Sequence, residues 1–229
     1  MLEKLQQHIN QKFSFLKEKK LLIAISGGID SVVLTHLFHQ LDFNISLAHC
    51  NFNLRGIEST KDEGFVKELG EKLNLKTFTT SFETEKFASK NSLSTQVAAR
   101  NLRYHWFDKI MNEHKFDFIL TAHHLDDNLE TFLINLSRGT GLEGLTGIPE
   151  LNKNIVRPLL IFSREEIETF ATKNNIDWRE DKSNASNKYI RNKIRNQIVP
   201  VLKDINPTLL ENFQKTTEHL QESQQIIDD

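Results

Sequence analysis

Residues 21–34 read LLIAISGGIDSVVL: an apolar run, two adjacent glycines, an acid between Ile29 and Ser31, then apolar residues again. Leu21 to Ile25 reads as a buried strand and the residues from Asp30 onward as a helix, so Gly27 and Gly28 occupy the hand-over between them. Several backbone N–H groups converge in front of a helix placed this way, and the helix dipole adds partial positive charge there. Glycine suits the position because a side chain would bar an anion from the backbone and because the tight turn calls for positive φ. The stretch predicts an anion cradle of Ser26, Gly27, Gly28, Ile29, Asp30 and Ser31, with the serine hydroxyls as extra donors and Asp30 as a hard oxygen ligand for Mg2+. An ordinary strand-to-helix turn would explain Gly-Gly alone; the complete Ser-Gly-Gly-x-Asp-Ser string behind a strand favours phosphate. The lysine of a Walker loop and the spaced third glycine of a dinucleotide fingerprint are missing, which disfavours kinase-like nucleotidases and Rossmann dehydrogenases.

Outward from this stretch, β-prone runs at Ile45 to His49, Thr77 to Phe82 and Phe118 to Ala122 alternate with helical patterns at Asp30 to Leu41, Ser59 to Leu73, Thr95 to Glu113 and Asp126 to Arg138. This alternation predicts βαβ units and a largely parallel α/β sheet, with Leu159 to Phe162 as a further buried segment. Ala98, Leu102, Trp106 and Ile110 recur every four residues and predict one apolar stripe on the third of these helices. Ser163 and Glu166 form a capping box that starts a helix at Arg164 and carries it to about Asn174. Residues 179–203 hold seven basic groups (Arg179, Lys182, Lys188, Arg191, Lys193, Arg195, Lys203) against two acidic ones, Glu180 and Asp181. A helix is expected from Tyr189 towards Val199; past Pro200 and Pro207, a last helix carries Leu209, Leu210, Phe213 and Leu220. Internal repeats and low-complexity tracts are absent from the sequence.

The 229 residues are 38% hydrophobic and 26% charged, enough for one medium domain with an appendage. The apolar run Leu21 to Ile25 falls far short of the roughly 20 residues that span a bilayer. The reading is a soluble, untargeted protein without a membrane. Cys50 is the single cysteine, so no intrachain disulfide, redox pair or cysteine-held cluster can form, and a reducing cytoplasm is expected. A net charge of -2 gives no global nucleic-acid signature and directs attention to local basic clusters. Oligomeric state is not legible, and a homodimer stays open.

The cradle string resembles the PP-loop of the N-type ATP pyrophosphatase superfamily, whose members split ATP between its α and β phosphates to adenylate a substrate. Four stretches narrow the resemblance: 49–56 (HCNFNLRG), 98–104 (AARNLRY), 121–131 (TAHHLDDNLET) and 138–142 (RGTGL), with Arg157-Pro158-Leu159 and the basic tail. Together these are similar to the tRNA(Ile)-lysidine synthetase family across essentially the whole chain. The resemblance implies a three-layer, Rossmann-like parallel sheet of the adenine nucleotide alpha-hydrolase type. The domain reading is a catalytic unit over 1–186 and a basic helical extension over 187–229. Many relatives have a second histidine where Phe52 stands, so a catalytic role for that imidazole does not carry over. Many also continue into carboxy-terminal tRNA-binding domains, and this chain is read as a fragment of such a protein. The family's reaction implies ATP, Mg2+, free L-lysine and tRNA(Ile) with a wobble cytidine: ATP adenylates the cytidine carbonyl oxygen, and the lysine side-chain amine displaces AMP.

That reaction gives the remaining residues their expected tasks. Asp127 and Glu130, three apart, share a helix face and can converge with Asp30 beyond the carboxyl edge of the sheet. The pair suits an ammonium or a metal, with Asp127 as a second Mg2+ ligand and Glu130 or a neighbour taking the amine's proton; a solvated acidic face is the bland alternative. His123 ends a strand within reach of phosphate or nucleotide, whereas a His123–His124 zinc site lacks a third donor. Arg103, a turn from Arg100, is expected on a phosphate; exposed helix charge is its alternative. Arg191 and Arg195 are expected to close over the triphosphate or substrate, against a merely solubilising basic face. Arg55 and Gly56 follow the second strand, where adenosine would lie, and Gly139, Gly141, Gly144 and Gly147 predict a pliable entrance. Rival readings are a tRNA sulfur-transfer enzyme, a small-molecule amide-forming ligase, and a nucleotide- or RNA-binding module without turnover.

Overall fold

The computed structural model describes residues 1–180 and 190–228. The quoted stretch folds into β1 (Leu21–Ala24) and α2 (Ile29–Gln40), preceded by α1 (Leu2–Lys12). Then follow β2 (Ile45–Asn51), α3 (Ile57–Lys72), β3 (Thr77–Ser81), α4 (Thr84–Lys90), α5 (Thr95–His114), β4 (Phe118–Leu120) and α6 (Leu125–Arg138). The remainder comprises α7 (Leu142–Leu145), β5 (Leu151–Asn152), β6 (Ile155–Val156), α8 (Arg164–Lys173), α9 (Ile190–Lys193), α10 (Val199–Ile205) and α11 (Leu209–Asp228).

The strand order is β3-β2-β1-β4-β6-β5, parallel throughout except for the antiparallel β5–β6 pair. From β1 the chain winds outward through β2 to β3, then returns to place β4 on the other side of β1. The order therefore reverses between β1 and β4, and a crevice opens beyond their carboxyl ends, where open α/β sheets bind ligands.

Strand β1 is buried on both faces, which accounts for its unbroken apolar run. Leu21 and Ile23 join a core with Val32 and Val33 of α2, Val66 and Leu69 of α3, Leu5 and Ile9 of α1, and Ile167 and Ala171 of α8. Leu22 faces the other way, into a core with Phe107, Ile110 and Met111 of α5. The result is a three-layer α/β/α sandwich. A separate cluster joins Leu125, Leu129 and Ile134 of α6 to Ile194, Val199 and Phe213, so the carboxy-terminal helices pack on α6.

Several expectations need correction. The buried face of α5 runs through Ala98, Phe107, Ile110 and Met111, with Leu102 and Trp106 only half-buried, because the helix advances 3.6 residues per turn and the apolar face drifts off a strict four-residue repeat. Leu159 to Phe162 is a buried segment as expected, in turn conformation, and the strands at that end are the β5–β6 hairpin. The continuous helix expected from Tyr189 to Val199 begins at Ile190 among described residues and opens into a π turn over Ile194–Ile198 before α10. Pro200 has no N–H for the carbonyl four residues back, so the α ladder gives way there. The basic residues Lys182 and Lys188, Tyr189 and the 186/187 domain boundary lie outside the described residues. The glycine-rich segment is anchored in its second half, where Asn135 Nδ2 donates to Gly144 O at 2.9 Å and Ile148 N donates to Asn128 Oδ1 at 2.6 Å. The Ser163–Glu166 box forms reciprocally, with Glu166 N on Ser163 Oγ at 3.1 Å and Ser163 N on Glu166 Oε2 at 2.7 Å.

Candidate active site

Gly27 takes φ +92°, a backbone state that L side chains rarely adopt, and Gly28 is the N-cap of α2 with no side chain capping the first turn. The first N–H groups of a helix have no intrahelical acceptor, so those of Ile29, Asp30 and Ser31 face the crevice end of α2 as a ready anion site. The serines organise the loop from within. Ser31 Oγ donates to Gly28 O at 2.9 Å and accepts from Ser26 N at 3.2 Å, while Ser26 Oγ accepts from Gly28 N at 3.2 Å.

A cleft of about 270 Å3 opens beside this loop, lined by Ser26, Asp30 and Ser31, by Thr121 and His123 from the end of β4, and by Asp127 and Arg191. Its apolar wall is made by Ala24, Ala48, Cys50, Phe52, Tyr104 and Phe107. Cys50, Phe52 and Tyr104 fall within the stretches that carry the family resemblance, but their place in this wall, like that of Ala24 and Ala48, was not read from the sequence, since it depends on which strand ends the topology sets side by side. Arg103 lies at the rim with its guanidinium carbon 5.2 Å from the Phe52 ring centroid. Arg55 and Gly56 are absent from the cleft lining; Arg55 Nη2 instead donates to Asp62 Oδ2 at 2.7 Å.

Burial pushes the His123 imidazole down to about 4. It is therefore neutral near pH 7 and shares a 3.0 Å hydrogen bond between Nδ1 and Thr121 Oγ1. Its neighbour His124 is buried, with Nε2 3.8 Å from Asp30 Oδ1 and 3.4 Å from Asp127 Oδ2, so one ring stands between the two carboxylates. Asp30 is gripped at 2.8 Å on both oxygens by Arg164 Nη1, yet burial keeps its carboxyl above the usual value. No sequence spacing linked Arg164 to Asp30; the capping box places Arg164 in the first turn of α8, and the fold brings that turn beside α2.

Asp127 and Glu130 do share one face of α6, and they share one cation. Arg195 donates through Nε to Glu130 Oε1 at 2.6 Å, and through Nη2 to Glu130 Oε2 at 3.0 Å and Asp127 Oδ1 at 2.9 Å. Burial would raise Asp127, but His124, His123 and Arg195 together hold it below the usual carboxylate range. Glu130, 1% exposed, goes the other way: burial, reinforced by Asp127, outweighs Arg195 and pushes it up. Arg191 Nη2 donates to Thr131 Oγ1 at 2.6 Å and forms part of the cleft wall. Asp126 is a fastener: its oxygens take Arg164 N at 2.8 Å and Lys203 Nζ at 2.5 Å, tying α6 to α8 and α10.

Such a cradle, at the end of the first strand where the strand order reverses and facing an acidic helix terminus, defines a nucleotide-binding α/β protein. The family model of the PP-loop domain matches residues 1–202, and the chain belongs to that family. Among curated relatives, it is 44% identical over 214 residues to a tRNA(Ile)-lysidine synthase of Bacteroides thetaiotaomicron, covering 93% of this chain and 50% of that protein. It is 42% identical over 205 residues to one of Porphyromonas gingivalis, covering 89% and 45% respectively. With one of Thermosipho africanus the identity is 38% over all of this chain and 54% of the relative. The chain thus spans about half the length of these curated relatives. The fold is shared with the U34-tRNA thiolase of Methanococcus maripaludis, at TM-score 0.71 and 19% identity over 89% of this chain and 73% of that one.

Proposed function

We propose that the chain is the catalytic part of an enzyme that uses ATP to join free L-lysine to the wobble cytidine of tRNA(Ile). In this reading ATP transfers its adenylyl group to the cytidine carbonyl oxygen with loss of pyrophosphate, and the lysine side-chain amine then attacks that carbon and displaces AMP. The observation that carries the reading is a single cleft bounded by the phosphate-accepting loop on one side and Asp127 on the other, in a chain 38–44% identical to tRNA(Ile)-lysidine synthases.

The residues present suit the chemistry. The Ile29, Asp30 and Ser31 amides donate to the phosphate oxygens, and Arg103 and Arg191 on the cleft wall offset the charge that develops on them. Asp30 and Asp127, both adjoining His124, would hold Mg2+, which characteristically takes one or two carboxylates and completes its shell with substrate phosphates. Bound there, the ion would neutralise charge on the leaving pyrophosphate. Neutral His123 donates or accepts a single hydrogen bond toward the nucleotide without adding charge. Asp127 and Glu130 orient the amine: the Arg195 guanidinium occupies the place a lysine ammonium would take, and the two cations exchange at the pair. Glu130, with its raised affinity for protons, takes the proton the attacking amine must lose.

Residues 1–186 form the catalytic unit in this reading, and the basic segment from 187 onward contributes Arg191 and Arg195 to it. The protein works in a cytoplasm; no helix among the described residues is long and apolar enough to cross a membrane. Sulfur transfer is disfavoured because Cys50 is the sole cysteine and burial pushes its thiol up to about 12. The test is incubation of the chain with ATP, Mg2+, labelled lysine and tRNA bearing a wobble cytidine. Lysine-dependent label on the tRNA is expected, and Asp30→Ala should abolish AMP formation while the fold stays intact. Label that enters without ATP, or Asp30→Ala turning over at the unmodified rate, would refute the assignment.

A further inference from the structure

The phosphate loop has one tether that the chemistry above does not use. Gly27 O accepts the backbone N–H of Arg179 at 2.9 Å, and Arg179 Cγ packs 3.7 Å from where a Cβ on Gly27 would sit. The Arg179 side chain reaches α3, with Nε on Asp62 Oδ1 at 3.0 Å and Nη2 on Glu58 Oε2 at 2.6 Å. Asp62 is only 6% exposed, and its other oxygen takes Arg55 Nη2 at 2.7 Å. The buried carboxylate is the shared member of this cluster, so removing it leaves two neighbouring guanidiniums without their common counter-charge, whereas removing one arginine frees one carboxylate oxygen and leaves the other arginine in place. Asp62 thus fixes the Arg179 side chain, and the same residue's backbone N–H holds the loop carbonyl.

The peptide so held joins Gly27 to Gly28. Glycine on both sides makes it unusually free to flip, since neither residue has a Cβ to oppose the turn. Its two polar ends are each secured, the oxygen by Arg179 N and the N–H by Ser26 Oγ at 3.2 Å. A flip would aim a carbonyl oxygen to the side where Ser26 and Ser31 gather the loop, next to the free first-turn amides of α2. An oxygen there would repel an incoming phosphate.

We infer that Asp62 and Arg179 are positioning residues that lock the Gly27–Gly28 peptide in its anion-accepting orientation. This rests on the reading of residues 26–31 as the triphosphate site and adds to it two residues with no place in the cleft. The test uses the full chain and its Asp62→Asn, Arg179→Met and Arg179→Lys variants, with affinity for a fluorescent ATP analogue, amide hydrogen exchange at residues 26–31, and thermal midpoint measured on each. The analogue should bind Asp62→Asn and Arg179→Met roughly tenfold more weakly, exchange at 26–31 should quicken, and Arg179→Lys should restore part of both. A fall in thermal midpoint with analogue affinity and loop exchange unchanged would overturn the inference and leave a merely structural pair. If Asp62→Asn does not fold, Arg179→Lys compared with the unmodified chain decides alone: weaker binding supports the lock and equal binding refutes it. No binding of the analogue by the unmodified chain would refute the phosphate reading itself, a separate outcome from loss of the lock.

Discussion

Gly27 shows what a single residue settles. With φ at +92°, Gly27→Ala forces a side chain into a strained backbone state worth about 1–3 kcal/mol, so the thermal midpoint should fall and ATP binding should weaken together. His123 provides a pH test. Its imidazole takes up a proton near 6.5 when unfolded and near 4 when folded, so the unfolded chain binds more protons between those values and stability must fall as pH drops through them. Across that interval the loss amounts to roughly 3 kcal/mol at most. Urea midpoints at pH 7 and pH 5 should differ less in His123→Asn than in the unmodified chain, and equal slopes would mean that His123 is not buried neutral. Local pattern singled these residues out in advance: the complete Ser-Gly-Gly-x-Asp-Ser string for the glycine, and a place at a strand end beside the acidic pair for the histidine. Arg164 and Arg179 were not readable in the same way, since each acts on a residue more than a hundred positions away and neither partner carries a local mark of the pairing.

At the scale of elements, α6 carries the most consequence. Its first turns hold Asp127 and Glu130 toward Arg195, while Leu125, Leu129 and Ile134 pack against Ile194, Val199 and Phe213. Packing and chemistry are therefore coupled: the helices that bury α6 also deliver the guanidinium that its carboxylates bind. Phe213 meets Phe132 edge-on at 5.3 Å, and Phe213→Ala should cost about 3 kcal/mol and lower lysine-dependent turnover, checked by thermal melts alongside label incorporation. Glu130→Ala should cut the response to lysine well before that to ATP, because it unfastens Arg195 and removes the proton acceptor; an unaltered lysine response would remove Glu130 from the site. The strands β1 to β4 and the helices α2, α3 and α5 were legible because apolar runs give way to helical spacing, whereas the seven-residue α4 between β3 and α5 was not, being too short to show a period. The β5–β6 hairpin was not, since two-residue strands carry no period. Nor was the π turn that holds Arg195 just before Pro200.

At the scale of the molecule, the order β3-β2-β1-β4-β6-β5 creates the crevice, with Asp30 at the start of α2, His123 just past β4 and Asp127 at the start of α6 lining the cleft there. The formal charge of -2 conceals this arrangement, because the basic residues near the site are spent on carboxylates: Arg164 on Asp30, Arg195 on Asp127 and Glu130. Total charge is for that reason a poor guide to what the site binds. The central claim is that this cleft cleaves ATP between its α and β phosphates in service of RNA. Its most direct test is to identify the products from labelled ATP with and without tRNA bearing a wobble cytidine. The account predicts AMP and pyrophosphate, formed only when that tRNA is present; ADP and inorganic phosphate, or AMP released equally without RNA, would contradict it.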